Sequence, residues 1–210
     1  MGIFTRSTRH LGRVSIGLLL VGGVALGQVP SVAFGTLTED LAERCRAKFQ
    51  TIDQHSLVEA TKPRRTSISE FEVNSYLKFL AGEQIPVGIV DPTIGLLESG
   101  RVEGRATVDL DLVRESGGPR GWLDPLRYLT GRLPVTATGR LTAAAGRGQI
   151  ALESTTVGGM PVPPAVLREL VAYYTVTPDN PEGYALDEPF DLPYRIQAIQ
   201  VGLTDAVIVQ

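Results

Sequence analysis

The sequence predicts an α+β fold, and three observations carry the prediction. Apolar residues recur at helical spacing up to about residue 80. From residue 93 onward they alternate with polar ones at a period of two. Short turn signals, Ser99 with Gly100 and the "AGRG" from Ala145 to Gly148, separate the alternating runs. Helices first and a run of antiparallel strands afterwards is the α+β order.

The first helix is expected over 37–56. Thr36 followed by Glu39 reads as a capping box, and Leu37, Leu41, Cys45, Phe49 and Ile52 form one apolar stripe. "TKPRRT" breaks this helix, and Ser69 with Glu72 in "SEFE" caps a second. That helix runs through Val73, Tyr76, Leu77 and Leu80 to a stop at Gly82. "IPVGIVDP" follows as a proline-rich connector.

Strands are then predicted over 93–99 and 101–113. The second places Val102, Gly104, Ala106, Val108, Leu110 and Leu112 on a dry face. Arg101, Glu103, Arg105, Thr107, Asp109 and Asp111 take the wet one. Residues 133–143 alternate again, with Leu133, Val135, Ala137, Gly139, Leu141 and Ala143 inward. The "AGRG" turn leads into a strand over 149–157 that carries Ile150 and Leu152 on one side. Pro163 and Pro164 suit a helix entrance, after which Val166, Leu167, Leu170, Val171 and Tyr174 share an apolar face. "YRIQAIQVGLTDAVIVQ" reads as two closing strands around Thr204 and Asp205.

Between the long strands lies "ESGGPRGWLDPLRYLTGR", with the sole tryptophan, Trp122, beside Leu123, Leu126, Tyr128 and Leu129. Asp124 before Pro125 caps a short helix there. The segment is either a greasy lip that opens or touches a membrane, or a loop helix folded over a sheet edge.

The N-terminus carries Arg6, Arg9 and Arg13 without an acid, then "VSIGLLLVGGVALG", then the small residues Ala25 and Gly27. That order reads as a secretory signal peptide over residues 1–27, with a later cut after Gly35 as the second choice. A retained anchor is the rival, because no charge stands between Arg13 and Glu39. Against it, Gln28 and Pro30 end the strongly apolar part well short of the ~20 residues a spanning helix needs. The expected location is periplasmic or secreted, with residues 36–210 as one α+β domain.

Removing residues 1–27 takes three of the 20 basic residues and none of the 23 acids, leaving 17 minus 23, a net charge of −6. Nucleic acid demands clustered lysine and arginine and is therefore an unsuitable partner. Charge alone does not hold such a chain on anionic lipid. Cys45 is the one cysteine, so no internal disulfide forms, and at a buried helix position it is a small hydrophobe.

Catalytic signals are faint. Beyond His10 in the leader there is one histidine, His55, at a helix end, and no G-x-S-x-G elbow. The chain has neither metal-ligand spacing nor a glycine-rich phosphate loop, so no cofactor or metal is implied. Ser75 to Lys78 fits S-x-x-K without its companion segments, a chance match. Asp109 and Asp111 stand about 7 Å apart along a strand, a separation compatible with an inverting glycosidase, yet a solvated face gives neither a raised pKa.

Gly104 and Ala106 on one strand, with Ala137, Gly139 and Ala143 on the next, leave room above the sheet. A void costs about 24 cal/mol per Å³, so something fills it: a closely packed helix, or an apolar guest. The order of "SISEFEVNSYL", "RVEGRATVDLDL", "LTGRLPVTATGRL", "GQIALESTTVGGMPVPPAVLREL" and a terminal hairpin resembles small bacterial exported members of the tubular lipid-binding (TULIP-like) superfamily. The likeness covers most of residues 67–210 and is one of pattern. It implies a strongly curved antiparallel meander wrapped around a long helix, and non-covalent lipid binding or transport in the cell envelope.

The leading expectation is therefore an apolar groove. Val108, Leu110, Val135, Leu141, Ile150 and Leu152 would line its sheet side, and Val166, Leu170 and Tyr174 the facing helix. Trp122 and Leu126 would act at its mouth. The second reading is a ligand-free envelope adaptor that docks a protein through the Trp122 loop or a sheet edge. The third is a glycoside hydrolase built on Asp109 and Asp111.

Overall fold

Among the described residues, two sheets and four α-helices organise the chain. Its structure is a computed structural model, which describes residues 35–58, 62–115, 130–174, 182, 185 and 187–210. Helix α1 spans Glu39–Ser56, with Thr38 rather than Thr36 at its N-cap: the Thr38 hydroxyl accepts from the Leu41 amide at 3.2 Å. Glu39 and Asp40 in the first turn and His55 in the last complement the helix dipole. Helix α2, Glu70–Phe79, carries the expected capping box of Ser69 and Glu72.

Between them lies a strand that the sequence reading missed, β1, Arg65–Ser69. Four of its five residues are polar or charged, and Ile68 alone is buried, so it shows no alternation to detect. It pairs antiparallel with β9, Asp205–Val209, which pairs with β8, Ala198–Val201. The closing hairpin around Thr204 is as expected, but it belongs to this separate three-stranded sheet, in the order β1-β9-β8.

The larger sheet is the predicted antiparallel meander. It runs β2 (Ile89–Leu96), β3 (Arg101–Asp109), β4 (Arg132–Ala144), β5 (Arg147–Val157) and β6 (Met160–Val162). β7, Phe190–Asp191, pairs with the start of β5. Its end strands do not pair with one another, so the sheet is open, not a closed barrel. Ser99 and Gly100 turn β2 into β3, both at positive φ, and Ala145 and Gly146 turn β4 into β5 in the same way.

Two departures from simple alternation shape the meander. The strand predicted over 101–113 ends at Asp109, and residues Leu110–Glu115 form a short helix, α3. Leu110 is consequently a helix residue, 4% exposed, and not a strand residue lining a groove. Further on, Thr138 pairs with Ser154 while Gly139 pairs with Leu152, so Glu153 is an extra residue. The inward phase slips there: Gly148 and Ile150 are buried before the bulge, Thr155 after it.

The core gathers Ile94, Leu96, Val102, Leu141, Ala143 and Ile150 from the meander against Cys45, Ile52, Tyr76, Leu77 and Ala81 from the helical side. Ile68, Leu192 and Ile196 close it from the smaller sheet and the tail. Phe49 meets Tyr76 edge to face at 5.1 Å.

Helix α2 lies along the exposed edge of β2 and is bonded to it. The Asn74 carboxamide donates to the Ile94 carbonyl and accepts from the Ile94 amide, both at 2.7 Å. Glu70 accepts from the Leu96 amide at 2.7 Å. These side chains occupy the positions a further strand would take, so the β2 edge is not available at Ile94 and Leu96 for the edge docking that an adaptor would use.

Asn74→Ala leaves both backbone groups of Ile94 buried and unpaired, and the unfolding free energy falls by about 2–4 kcal/mol. Urea unfolding followed by circular dichroism measures this, and a loss under about 1 kcal/mol contradicts the role given to the carboxamide.

Candidate functional site

The inner face of the meander divides into two halves with different fates. In the half near the turns, Leu141 and Ile150, both expected in the groove, are buried in the core cluster among α1, α2 and the smaller sheet. Their partners are the chain's own side chains, which leaves no room for a guest. The small residues here have local causes as well. A Cβ at Gly139 would stand 2.9 Å from the Ala151 carbonyl oxygen, because the bulge draws the strands together. One at Gly148 would stand 2.7 Å from the Phe190 ring.

The other half differs. Gly104 pairs with Ala137, Ala106 with Val135, and Ala137 with Thr155, whose other neighbour is Val162. Ala137 is buried and Ala106, Val108, Val135, Val157 and Val162 are half-buried, so short aliphatic side chains floor this region. Helix α4, Pro164–Tyr174, packs on β5 and buries Leu167. Val166, expected to face the groove, is instead 42% exposed, since it lies on the outer side of the helix. Leu152, also expected in the groove, is half-buried beside the bulge. The side chains of Leu170 and Tyr174, and all of Trp122 and Leu126, lie outside the described residues.

Within that aliphatic floor sits one polar atom without a partner. Thr155 is 2% exposed, and among the described residues its hydroxyl has no hydrogen-bond partner. Buried hydroxyls are normally satisfied, since an unpaired one costs about 1–3 kcal/mol. Period-two counting from Ile150 and Leu152 passes over Thr155, because the bulge shifts the phase by one. The signal that could have revealed it is Val157, which stands an odd number of residues from both.

The carboxylate pair does not assemble as expected. Asp109 is buried and caps α3, accepting from the Leu112 amide at 3.2 Å and from Arg132 Nε at 2.9 Å. Asp111 lies in α3 and accepts from the Gly131 amide, so the two do not share a strand face. The Arg132 guanidinium, helped by the Leu112 amide, holds the Asp109 carboxyl below its ordinary value despite burial. A glycosidase general acid needs the opposite shift. Ser75 of the S-x-x-K match is fully buried, bonded to the Thr38 amide, while Lys78 is exposed.

A partly buried ion pair joins α1 and α2. Lys48 Nζ stands 2.6 and 2.7 Å from the two Glu72 oxygens, and the Ser69 amide adds a bond at 2.8 Å. Burial pushes the Glu72 carboxyl up, but the bonds from Lys48 and Ser69 outweigh it and hold the carboxyl below its usual value. Burial, reinforced by the Glu72 charge and opposed by Lys48, pushes the Cys45 thiol up to about 12. Among the described residues no group of three or more His, Cys, Asp or Glu could hold a metal, and no helix is long and apolar enough to cross a membrane.

Two outcomes follow from this pair. A carboxyl lowered on folding stabilises the protein above its unfolded pKa of about 4.3, and that stability disappears as pH falls through the lower folded value. Glu72→Gln therefore loses stability at pH 7 and shows a flatter acid limb when Tm is followed from pH 7 to 3; an unchanged limb contradicts the assignment. Cys45, mostly protonated at pH 8 and enclosed, reacts with a thiol reagent only when the protein opens. Its labelling rate should rise with urea in step with unfolding, and rapid labelling of native protein contradicts this.

Compared with protein-family models, with curated proteins and with solved structures, the chain matches none.

Proposed function

We propose that this chain binds an apolar ligand, such as an acyl chain with a polar head, without catalysis. The ligand lies on the half of the meander floored by Ala106, Val108, Val135, Val157 and Val162, under α4. The observation that carries the reading is the unpartnered Thr155 hydroxyl, set within short aliphatic side chains. A mostly apolar site with a few placed polar groups is what small-molecule recognition requires. Thr155 supplies one such group: it donates to, or accepts from, the ligand's head while the chain lies along the valines.

The resemblance of residues 67–210 to the tubular lipid-binding superfamily supports the same reading, with residues 36–210 as one domain and the meander curved over its ligand. The basic, apolar and small-residue order of the N-terminus supports export, which places the binding in the cell envelope. Trp122 and Leu126 are assigned to the mouth of the site on their sequence character alone.

Thr155→Val separates this role from a purely structural one. Removing an unsatisfied buried hydroxyl while keeping its shape leaves stability equal or slightly higher. Losing the ligand's hydrogen bond weakens fatty-acid affinity by about tenfold. Titration of a fluorescent fatty acid into wild type and variant reads the difference. Saturable binding unchanged by the substitution rules out Thr155 as the contact, and no saturable binding by wild type rules out the function.

A further inference from the structure

A groove of about 350 Å³ lies between α1 and β1. Lys48 and Thr51 line one wall, and Arg64, Arg65, Thr66 and Ser67 the other. Three of its lining residues are cationic and none is acidic, in a chain whose net charge is −3.

The wall formed by β1 is rich in donors for a backbone reason. Arg64 and Gln210 exchange both amide bonds at 2.9 Å, and the ladder then continues through Thr66 with Ile208 and Ile68 with Ala206. In an antiparallel ladder alternate residues turn their amides the other way, so those of Arg65 and Ser67 point away from β9. Among the described residues β1 is the end strand of its sheet, and no further strand pairs with that edge. The Ser69 amide shows the direction: it reaches outward to Glu72 at 2.8 Å.

The side chains divide the work. Lys48 is held by Glu72, the Arg65 guanidinium donates to Gln200 at 2.6 Å, and the Ser67 hydroxyl to Asp205 at 2.6 Å. Thr51 donates to the Ala47 carbonyl at 2.8 Å. The Arg64 guanidinium and the Thr66 hydroxyl have no partner among the described residues. A guanidinium fork beside two outward amides and a hydroxyl is a donor set for an oxyanion. The volume exceeds what phosphate alone fills and falls within the range of small-ligand sites, roughly 300–1,000 Å³.

We propose that this groove binds a phosphate ester, with the phosphate on Arg64, Thr66 and the Arg65 and Ser67 amides and its organic part between α1 and β1. The same chemistry is carried by a free phosphate ester or by a phospholipid headgroup. The proposal stands apart from the apolar site, whose residues it does not use.

Isothermal titration with glycerol 3-phosphate, and flotation with phosphatidylglycerol against phosphatidylcholine vesicles, test it on the full chain. Arg64→Gln is the groove variant, and Arg101→Gln, beside Glu153 on the meander's outer face, the control. Binding of glycerol 3-phosphate that weakens about tenfold or more in Arg64→Gln, and not in Arg101→Gln, supports the free ester. Binding only to phosphatidylglycerol vesicles, lost in the same variant, supports the headgroup. Failure of both probes, wild-type binding by Arg64→Gln, or equal loss in both variants overturns the proposal.

Discussion

A strand that ends a sheet beneath a helix carries N–H and C=O groups that neither water nor another strand can satisfy. β2 is such a strand, and Asn74 resolves it by presenting a carboxamide where a neighbouring backbone would otherwise stand. This fixes α2 in both translation and rotation against the meander. With Asn74 turned to β2, Ser75 and Tyr76 point to α1, and Glu72, one turn earlier, reaches Lys48. The packing of α1, and through Ile52, Ile68 and Ile208 that of the smaller sheet, follows from where α2 is held. The pair of buried Glu72 with partly exposed Lys48 reinforces a placement set first by hydrogen bonds.

The same placement explains why the meander's inner face has two characters. Helices α1 and α2 and the smaller sheet crowd onto the half near the turns, where Leu141, Ala143 and Ile150 meet them. Here large apolar side chains from several elements interdigitate, and glycines occur only where strands or a ring approach closely. Among the described residues the remaining half meets α4 at β5 and the short α3 at β3 and β4, and its floor is mostly alanine and valine. A sheet face of constant composition would be filled throughout. The change from leucine and isoleucine to alanine and valine along one face follows the change in what covers it.

Much of the fold was readable because most elements obey one periodicity from end to end. Helices α1 and α2, strands β4 and β5 and the two hairpin turns with positive φ fall close to where spacing and turn residues put them. β2, by contrast, begins at Ile89, inside the stretch expected as a connector, and ends at Leu96. What escaped did so for identifiable reasons. β1 is polar, so its place depends on backbone pairing with a strand some 140 residues away. α3 begins inside a run that continues to alternate, and the deciding feature is Asp109 capping Leu112 while its carboxylate holds Arg132, a contact between distant residues. Of the groove residues inferred from alternation, Val108 and Val135 lie in the half assigned to the ligand, Leu141 and Ile150 in the sealed half. Alternation reports which face a residue takes and not what lies opposite.

The bulge at Glu153 ties the sheet's geometry to its chemistry. Without the extra residue, the inward positions after Leu152 would be Ser154 and Thr156, and Val157 would face out. With it, Glu153 points outward toward Arg101 and Arg140, Val157 joins the apolar floor, and a single hydroxyl, that of Thr155, is turned inward. Bulges re-aim side chains, and here the re-aiming puts one polar atom where an apolar floor would otherwise be continuous. Were the region simply core, valine at position 155 would serve it better, since it keeps the shape and removes the unpaired group. A threonine there makes physical sense when its hydroxyl has a partner, and none of the chain's described groups provides one.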